Sequence, residues 1–176
     1  MNGFVPWERK NEFKRSFAIV MGQKNQLWWD LPASDSLYLN KCIYDVDDRE
    51  YKKTVDELSE LLGVRELMNI QVRRLSLGER MKMEILAALI HRPGILFLDE
   101  PTIGLDIVSQ QKIRDFLHYY NEQTKTTIIL TSHYMRDIEA LCSRAVIINS
   151  GTLVYDGALS DICLLYTSPS PRDRTR

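Results

Sequence analysis

Two kinds of hydrophobic pattern alternate along this chain. Five short segments are apolar or β-branched with little polar interruption, and they are too short for an amphipathic helix. Such runs are typical of buried strands. The predicted strands are residues 17–21, 95–98, 126–131, 145–149 and 152–155, the last two joined by a turn at Ser150-Gly151.

Longer segments between these strands repeat apolar residues at helical spacing. In residues 79–91, for example, Met81, Ile85 and Leu89 fall on one face, and Pro93-Gly94 ends the segment. This spacing predicts amphipathic helices that bury one face. The predicted helices are one that starts near Ser34 and those at residues 50–62, 79–91, 107–122 and 135–142.

The order of these elements predicts an α/β fold. Strand, helix, strand, helix, strand from residue 95 to residue 149 indicates a parallel sheet covered by helices. Residues 32–75 are helical and interrupt that pattern, so we interpret them as an inserted subdomain. The predicted organisation is a core remnant at 1–31, a helical subdomain at 32–93, a further core segment at 94–163 and a disordered tail, foreign to the reading frame, at 164–176.

Composition and charge say little about partners. The 176 residues are 44% hydrophobic and 27% charged, which suits one globular domain. A net charge of −1 gives no electrostatic argument for nucleic acid or an anionic membrane. The three cysteines are widely spaced and suggest no disulfide framework, and no apolar run approaches the ~20 residues that span a bilayer. We expect any membrane role to come through a partner protein.

Two adjacent acids carry the strongest chemical signal. Asp99 and Glu100 directly follow the apolar segment 95–98 and precede the sequence PTIGLD. A carboxylate at the end of a buried strand can bind Mg²⁺, and its neighbour can polarise a water molecule. A pair of solvated acids is the structural alternative, but the apolar run before them and the sequence after them favour a catalytic pair.

A second candidate site lies in RLSLGER, residues 74–80. Ser76 offers a hydroxyl and Gly78 a bare backbone where a helix begins, and free N–H groups at a helix start bind anions. The alternative is purely structural: Ser76 caps the helix, and Glu79 completes a capping box three residues later. The residue types alone leave both interpretations open.

These segments together resemble the nucleotide-binding domain of ABC transporters. RLSLGER is similar to the family signature, ILFLDEP to its Walker B strand, IGLD to its D-loop, TSH at residues 131–133 to its switch histidine, and MGQ at residues 21–23 to its Q-loop. Their order and spacing agree from about residue 5 to residue 159. GQKNQLWWDLPASDSL and SHYMRDIEALCSRAVIINSG more narrowly resemble the ATP-binding subunits of daunorubicin-resistance-type exporters.

The resemblance implies a P-loop NTPase (RecA-like) fold, with a parallel sheet and helices on both faces, and ATP and Mg²⁺ as ligands. Glu100 would be the general base and Asp99 the magnesium ligand, while Gln23 would reach the metal and the attacking water. His133 would bind the γ-phosphate and position the base. Ser76 and Gly78 would hold the γ-phosphate of a nucleotide bound to the opposite protomer, with Asp106 at that dimer interface.

The resemblance also implies partners and a location. We expect a transmembrane permease subunit and a second ATPase subunit, identical or paired, at the cytoplasmic face of the cell membrane. We expect no nucleic-acid partner. The adjacent tryptophans Trp28 and Trp29 cannot both face one core, so we interpret one of them as a contact for the membrane subunit.

The sequence departs from the family pattern in three ways. Leu77 stands where the signature has glycine, and Glu79 stands where it has glutamine, which puts a negative charge beside an anion site. No GxxxxGK followed by Ser or Thr occurs in the sequence. We therefore expect an N-terminally truncated domain that binds ATP weakly on its own and exposes a sheet edge.

Two other functions stay open. ABC ATPases of chromosome maintenance or of ribosomes share this core without transport, although residues 24–75 hold only a small helical segment and no long coiled coil. The chain could also be an inactive fragment of such an enzyme.

Overall fold

The computed structural model describes residues 3–162 except Arg9. Within this range, the residues up to His133 form one compact unit and those from Tyr134 form a second. The predicted disordered tail at 164–176 lies outside the described residues. The predicted domain boundaries at 31, 93 and 163 stay predictions.

Three parallel strands organise the first unit. They are β1 (Phe17–Met21), β2 (Ile95–Asp99) and β3 (Thr127–Thr131), in the order β1-β2-β3. Met21 lies opposite Asp99, and Asp99 opposite Thr131, so the carboxyl ends of all three strands meet at one edge. The predictions of strands at 17–21, 95–98 and 126–131 are confirmed to within one residue.

The two faces of this sheet differ in burial. Val20 and Leu98 lie on one face and are buried, whereas Ile19 and Ile129 on the other face are 38% and 48% exposed. The interpretation of residues 126–131 as a buried strand is therefore wrong, because β3 has one half-buried face and one exposed face. Its β-branched residues satisfy strand propensity on both faces and do not indicate burial.

The first unit contains five α-helices among the described residues, and all except the first, which was not predicted, lie close to their predicted positions. They are α1 (Asn11–Arg15), α2 (Ala33–Tyr44), α3 (Asp48–Leu61), α4 (Leu77–Leu89) and α5 (Ile107–Thr124). Asp47 caps α3 by accepting hydrogen bonds from the backbone N–H groups of Arg49 and Glu50. Short 3₁₀ turns occur at Pro6–Glu8, Arg65–Leu67 and Val72–Arg74.

Helix α4 is the most deeply buried of these helices. Nine of its residues are buried, including Lys82 and Glu84. It contacts β1, α2, α3 and α5, and it therefore connects the sheet to the helical segment between β1 and the signature sequence. The two ends of that segment lie beside each other, because Pro32 near its start forms an isolated antiparallel bridge with Gln71 near its end.

The second unit contains α6 (Met135–Leu141), β4 (Arg144–Asn149) and β5 (Thr152–Ala158). β4 and β5 form an antiparallel pair, separate from the three-stranded sheet. The prediction that residues 145–149 continue the parallel sheet is wrong. Ser150 and Gly151 adopt φ values of 49° and 77°, which suit a tight hairpin turn that returns the chain beside β4. None of the helices in the described part of the chain is long and apolar enough to cross a membrane.

Candidate functional site

Asp99 lies at the end of β2 and is held by the neighbouring strand. The hydroxyl of Thr131 donates a hydrogen bond to Asp99 Oδ1 over 2.6 Å. The backbone N–H of Glu100 donates to the carbonyl oxygen and the hydroxyl oxygen of Thr131, at 3.1 and 3.2 Å. One threonine at the end of β3 therefore binds the carboxylate of Asp99 and the backbone of Glu100.

Glu100 leaves the strand with an unusual backbone conformation. Its φ is +52°, in the left-handed region that residues other than glycine seldom adopt. Its Oε2 lies 2.7 Å from His133 Nδ1. Because a carboxylate only accepts, Nδ1 carries the hydrogen and donates it. The predicted base and the predicted switch histidine are therefore in direct contact, and such backbone strain is common at functional sites.

Gly22 brings the loop after β1 against these acids. Its N–H donates to the carbonyl oxygen of Asp99 over 2.8 Å, and a Cβ at Gly22 would lie 2.1 Å from the carbonyl oxygen of Glu100. Gln23 follows directly and is exposed. The structure thus brings Gln23, Asp99, Glu100 and His133 to one edge of the sheet, and we call these four residues the strand-end group.

Ser76 caps α4 in the structure. The carboxylate oxygen Oε2 of Glu79 accepts hydrogen bonds from both the backbone N–H and the hydroxyl of Ser76, each at 2.8 Å, and the N–H of Glu79 donates to Ser76 Oγ over 3.3 Å. These bonds hold the pKa of Glu79 below its ordinary value. The capping-box interpretation is therefore confirmed, and Ser76 Oγ already donates to a negative group of its own helix.

Gly78 and Asp106 meet through Ser109. A Cβ at Gly78 would lie 2.3 Å from Ser109 Oγ, so the bare backbone is needed for packing inside this chain. Asp106 caps α5, because its Oδ1 accepts from the N–H of Ser109 over 2.9 Å. Hydrogen bonds from the Ser109 side chain and backbone hold the pKa of Asp106 below its ordinary value. Ser76, Gly78 and Asp106 form the helix-end group.

A sequence model of the ABC transporter family matches residues 5–103, more than half of the chain. This chain belongs to the ABC transporter family. The match ends just after the two acids at the end of β2, and it therefore includes the whole of α4 and the loop around Gln23.

Two relatives within the ABC transporter family are named as ATP-binding proteins. The chain is 35% identical over 173 residues to the ABC transporter ATP-binding protein NatA of Bacillus subtilis (strain 168), with 98% of this chain and 69% of NatA covered. It is 34% identical over 163 residues to the linearmycin resistance ATP-binding protein LnrL of the same organism, with 93% of this chain and 52% of LnrL covered. It therefore spans only part of these relatives.

The fold is that of solved ABC ATP-binding domains. A structure of the ATP-binding subunit of an ABC transporter superposes with a TM-score of 0.80 at 25% identity, covering 94% of this chain and 68% of that one. The prediction of the α/β P-loop NTPase fold is thereby confirmed.

The strand-end group of this ABC domain contains oxygen ligands of the kind that bind a magnesium ion. Mg²⁺ prefers oxygen ligands and binds through one or two carboxylates together with substrate phosphates. Asp99 supplies one exposed carboxylate, and Gln23 supplies an exposed amide. No group of three or more His, Cys, Asp or Glu residues suited to a metal occurs among the described residues.

Sequence reasoning missed three polar residues of this ABC domain. Thr131 was included only as part of the TSH sequence, although it binds both acids. Ser109 was not singled out, although its position three residues after Asp106 is the spacing of a helix cap. Glu84 was missed altogether, because a lone acid inside a helix predicts an exposed position.

Proposed function

We propose that these residues serve ATP hydrolysis in the ATP-binding subunit of an ABC transporter, which drives a transmembrane permease. Family membership supports the ATP-binding role. The observation that carries the catalytic assignment is the contact between Glu100 Oε2 and His133 Nδ1, beside Asp99 at the strand ends.

Glu100 is the general base in this proposal. Its Oε2 is held by the N–H of His133, so the carboxylate is fixed in orientation while its other oxygen accepts a proton from the attacking water. The left-handed backbone at Glu100 turns the side chain away from the direction that an extended strand would give it. Removal of the carboxylate would remove this hydrogen bond to His133 Nδ1.

Asp99 and Gln23 are the proposed magnesium ligands. The Thr131 hydroxyl engages Oδ1 of Asp99 and thereby orients that carboxylate at the edge of the sheet. When bound, Mg²⁺ would neutralise charge on the phosphate oxygens. Gln23 follows Gly22, whose close approach to Glu100 keeps the start of the loop beside the acids.

His133 has a second role in the proposal. Its Nδ1 donates to Glu100, so only the doubly protonated ring can also donate from Nε2 to a γ-phosphate oxygen. The same residue would then position the base and bind the substrate.

The helix-end group is proposed to bind the γ-phosphate of a nucleotide held by a second copy or a paired ATPase subunit. Ser76 Oγ donates to Glu79 in the isolated chain, so the hydroxyl must turn away from Glu79 before it can donate to a phosphate. Asp106 would contribute to the same interface. Glu79 would oppose the phosphate electrostatically, since both groups are negative.

The proposed location is the cytoplasmic face of the membrane, where the chain binds its permease. Trp28 and Trp29 are 58% and 45% exposed, and an exposed pair of large aromatic side chains is suited to a protein interface. We propose export as the direction, and daunorubicin-resistance-type exporters as the subfamily, because the linearmycin resistance protein is a relative and the sequence around Trp28 resembles such exporters.

A second candidate is a non-catalytic role for the 176-residue chain. The observation that favours it is the absence of GxxxxGK followed by Ser or Thr from the sequence, since that loop supplies the lysine and backbone N–H groups that bind phosphates.

Extraction from membranes tests the transport role. The protein is isolated with mild detergent from the cells that produce it, and phosphate release from ATP is measured for the isolated complex. Recovery with a membrane protein and with ATPase activity supports the proposal. Co-sedimentation with ribosomes and no membrane protein contradicts it and favours a non-transport ABC ATPase.

A further inference from the structure

A buried acid in the middle of α4 binds the loop that follows β1. Glu84 is only 3% exposed. Its Oε1 accepts hydrogen bonds from the backbone N–H groups of Gln26 and Leu27, at 2.8 and 3.2 Å. The two amides belong to the loop that begins at Gln23, so this one side chain joins the loop to the helix.

The burial of this carboxylate is unfavourable for folding. Burial raises the pKa of Glu84, and the hydrogen bonds from Gln26 and Leu27 counteract only part of that effect. Its second oxygen, Oε2, is also buried, and no protein group among the described residues donates to it. A leucine in the same place would avoid this desolvation penalty, but it would leave the N–H groups of Gln26 and Leu27 without the acceptor that Glu84 provides. The buried acid therefore fixes the position of these two amides.

The loop is attached at several further points. The side-chain amide of Gln26 donates to the carbonyl oxygen of Ile19 in β1 over 2.8 Å, and the N–H of Lys24 donates to the carbonyl oxygen of Met21 over 3.1 Å. Arg80, one helical turn before Glu84, lies over the ring of Trp29 at 5.3 Å. The loop is therefore fixed to β1 at its start and to α4 at its end.

We propose that Glu84 is a positioning residue that sets where Gln23 lies relative to α4. The same helix begins at Ser76, so Glu84 links the strand-end group to the helix-end group through one buried side chain. Movement of α4 would carry the loop with it, and displacement of Gln23 would be passed to the start of α4. This inference uses the proposed function only for the roles of Gln23 and Ser76.

Amide hydrogen exchange in the full 176-residue chain, resolved by NMR, tests the link. Glu84→Leu removes both acceptor oxygens, whereas Glu84→Gln keeps a carbonyl oxygen for the two amides. We expect Glu84→Leu to accelerate exchange at Gln26 and Leu27 by about tenfold or more. We also expect acceleration at Lys24, whose bond to Met21 closes the turn that holds Gln23, and restoration of slow exchange in Glu84→Gln.

Two controls separate the link from a general loss of stability. The amide of Leu98 in β2 reports the core, and its exchange should stay within about threefold of the wild type in all variants. Glu57→Gln changes an exposed acid on α3 and should alter none of these amides. Should Glu84→Leu fail to fold, Glu84→Met provides a more adaptable apolar replacement for the same measurement.

The proposal is overturned if Lys24 exchanges at the wild-type rate while Gln26 and Leu27 are released, because Glu84 would then hold only its two direct partners. It is also overturned if Leu98 accelerates as much as the loop amides. Neither measurement requires ATP, so absent ATP hydrolysis would count against the proposed function and leave this link intact.

Discussion

His133 Nδ1 lies 2.7 Å from Glu100 Oε2, and this contact joins the segments that follow two neighbouring parallel strands. Glu100 follows β2 in a left-handed conformation, and His133 lies two residues beyond the end of β3. Thr131, the last residue of β3, binds both Asp99 and Glu100. The end of β3 therefore controls the orientation of both acids.

Replacement of His133 should reduce the rate of ATP hydrolysis. His133→Ala removes the donor that orients Glu100, and we expect kcat for ATP hydrolysis by the membrane-assembled protein to fall by about 10²-fold, as for loss of a group that assists proton transfer. Steady-state phosphate release measures this. His118→Ala, at an exposed position on α5, is the control and should retain activity. A wild-type kcat in His133→Ala would contradict the role.

Gly22 should tolerate no side chain. A Cβ there would lie 2.1 Å from the carbonyl oxygen of Glu100, so Gly22→Ala must displace the loop or the acid. We expect the free energy of unfolding in urea to fall by ~1–3 kcal/mol. Gly94→Ala is a matched control, because its Cβ would meet only the Ser16 carbonyl oxygen at 3.8 Å. Equal effects of the two substitutions would show that the close approach is unimportant.

Glu79 should stabilise α4 in a pH-dependent manner. Hydrogen bonds from Ser76 lower the pKa of Glu79 in the folded chain below the ordinary 4.5. A lowered folded-state pKa adds stability above the unfolded-state pKa, and that stability is lost as pH falls through the folded value. Glu79→Ala should cost ~0.5–1 kcal/mol at pH 7, with a smaller difference from the wild type below the ordinary pKa. Urea unfolding at several pH values measures it.

Glu79→Gln separates charge from capping. Glutamine can complete the same capping box without a titrating group, so the stability of this variant relative to Glu79→Ala should not change with pH in that range. A difference between Glu79→Gln and Glu79→Ala that disappears in acid would contradict the explanation, since neither variant titrates at residue 79.

The 176-residue chain should bind ATP weakly by itself. The sequence holds no GxxxxGK loop, and the helix-end group already uses the Ser76 hydroxyl within α4. Isothermal calorimetry with MgATP should detect no binding at nanomolar or micromolar affinity. A dissociation constant in that range would mean that the described residues suffice for a nucleotide site.

The sequence predicted most elements because their hydrophobic patterns are local. The bounds of β1 and the start of α5 agree with the predictions from apolar spacing, and the helix at the signature sequence lies within two residues of its predicted range. The pairing of β4 was predicted wrongly, because the alternation of strands and helices favours a parallel continuation, whereas the hairpin turn at Ser150-Gly151 decides its partner.

Burial of polar residues was the least predictable feature of the site. No local pattern in the sequence indicates that Glu84 is buried. Its partners Gln26 and Leu27 lie 58 and 57 positions away in sequence. The contact between Glu100 and His133 spans 33 positions, and it could be anticipated only because the ends of neighbouring parallel strands meet. Long-range contacts of this kind depend on the assembled fold and not on any local spacing.

The most direct test of the account is Glu100→Gln in the protein assembled with its permease. Glutamine preserves the size of the side chain but cannot accept a proton from water. Phosphate release from ATP should fall by at least about 10²-fold, while binding of MgATP by the assembled protein is retained. Phosphate release at the wild-type rate would contradict the assignment of these strand-end acids as the site of hydrolysis.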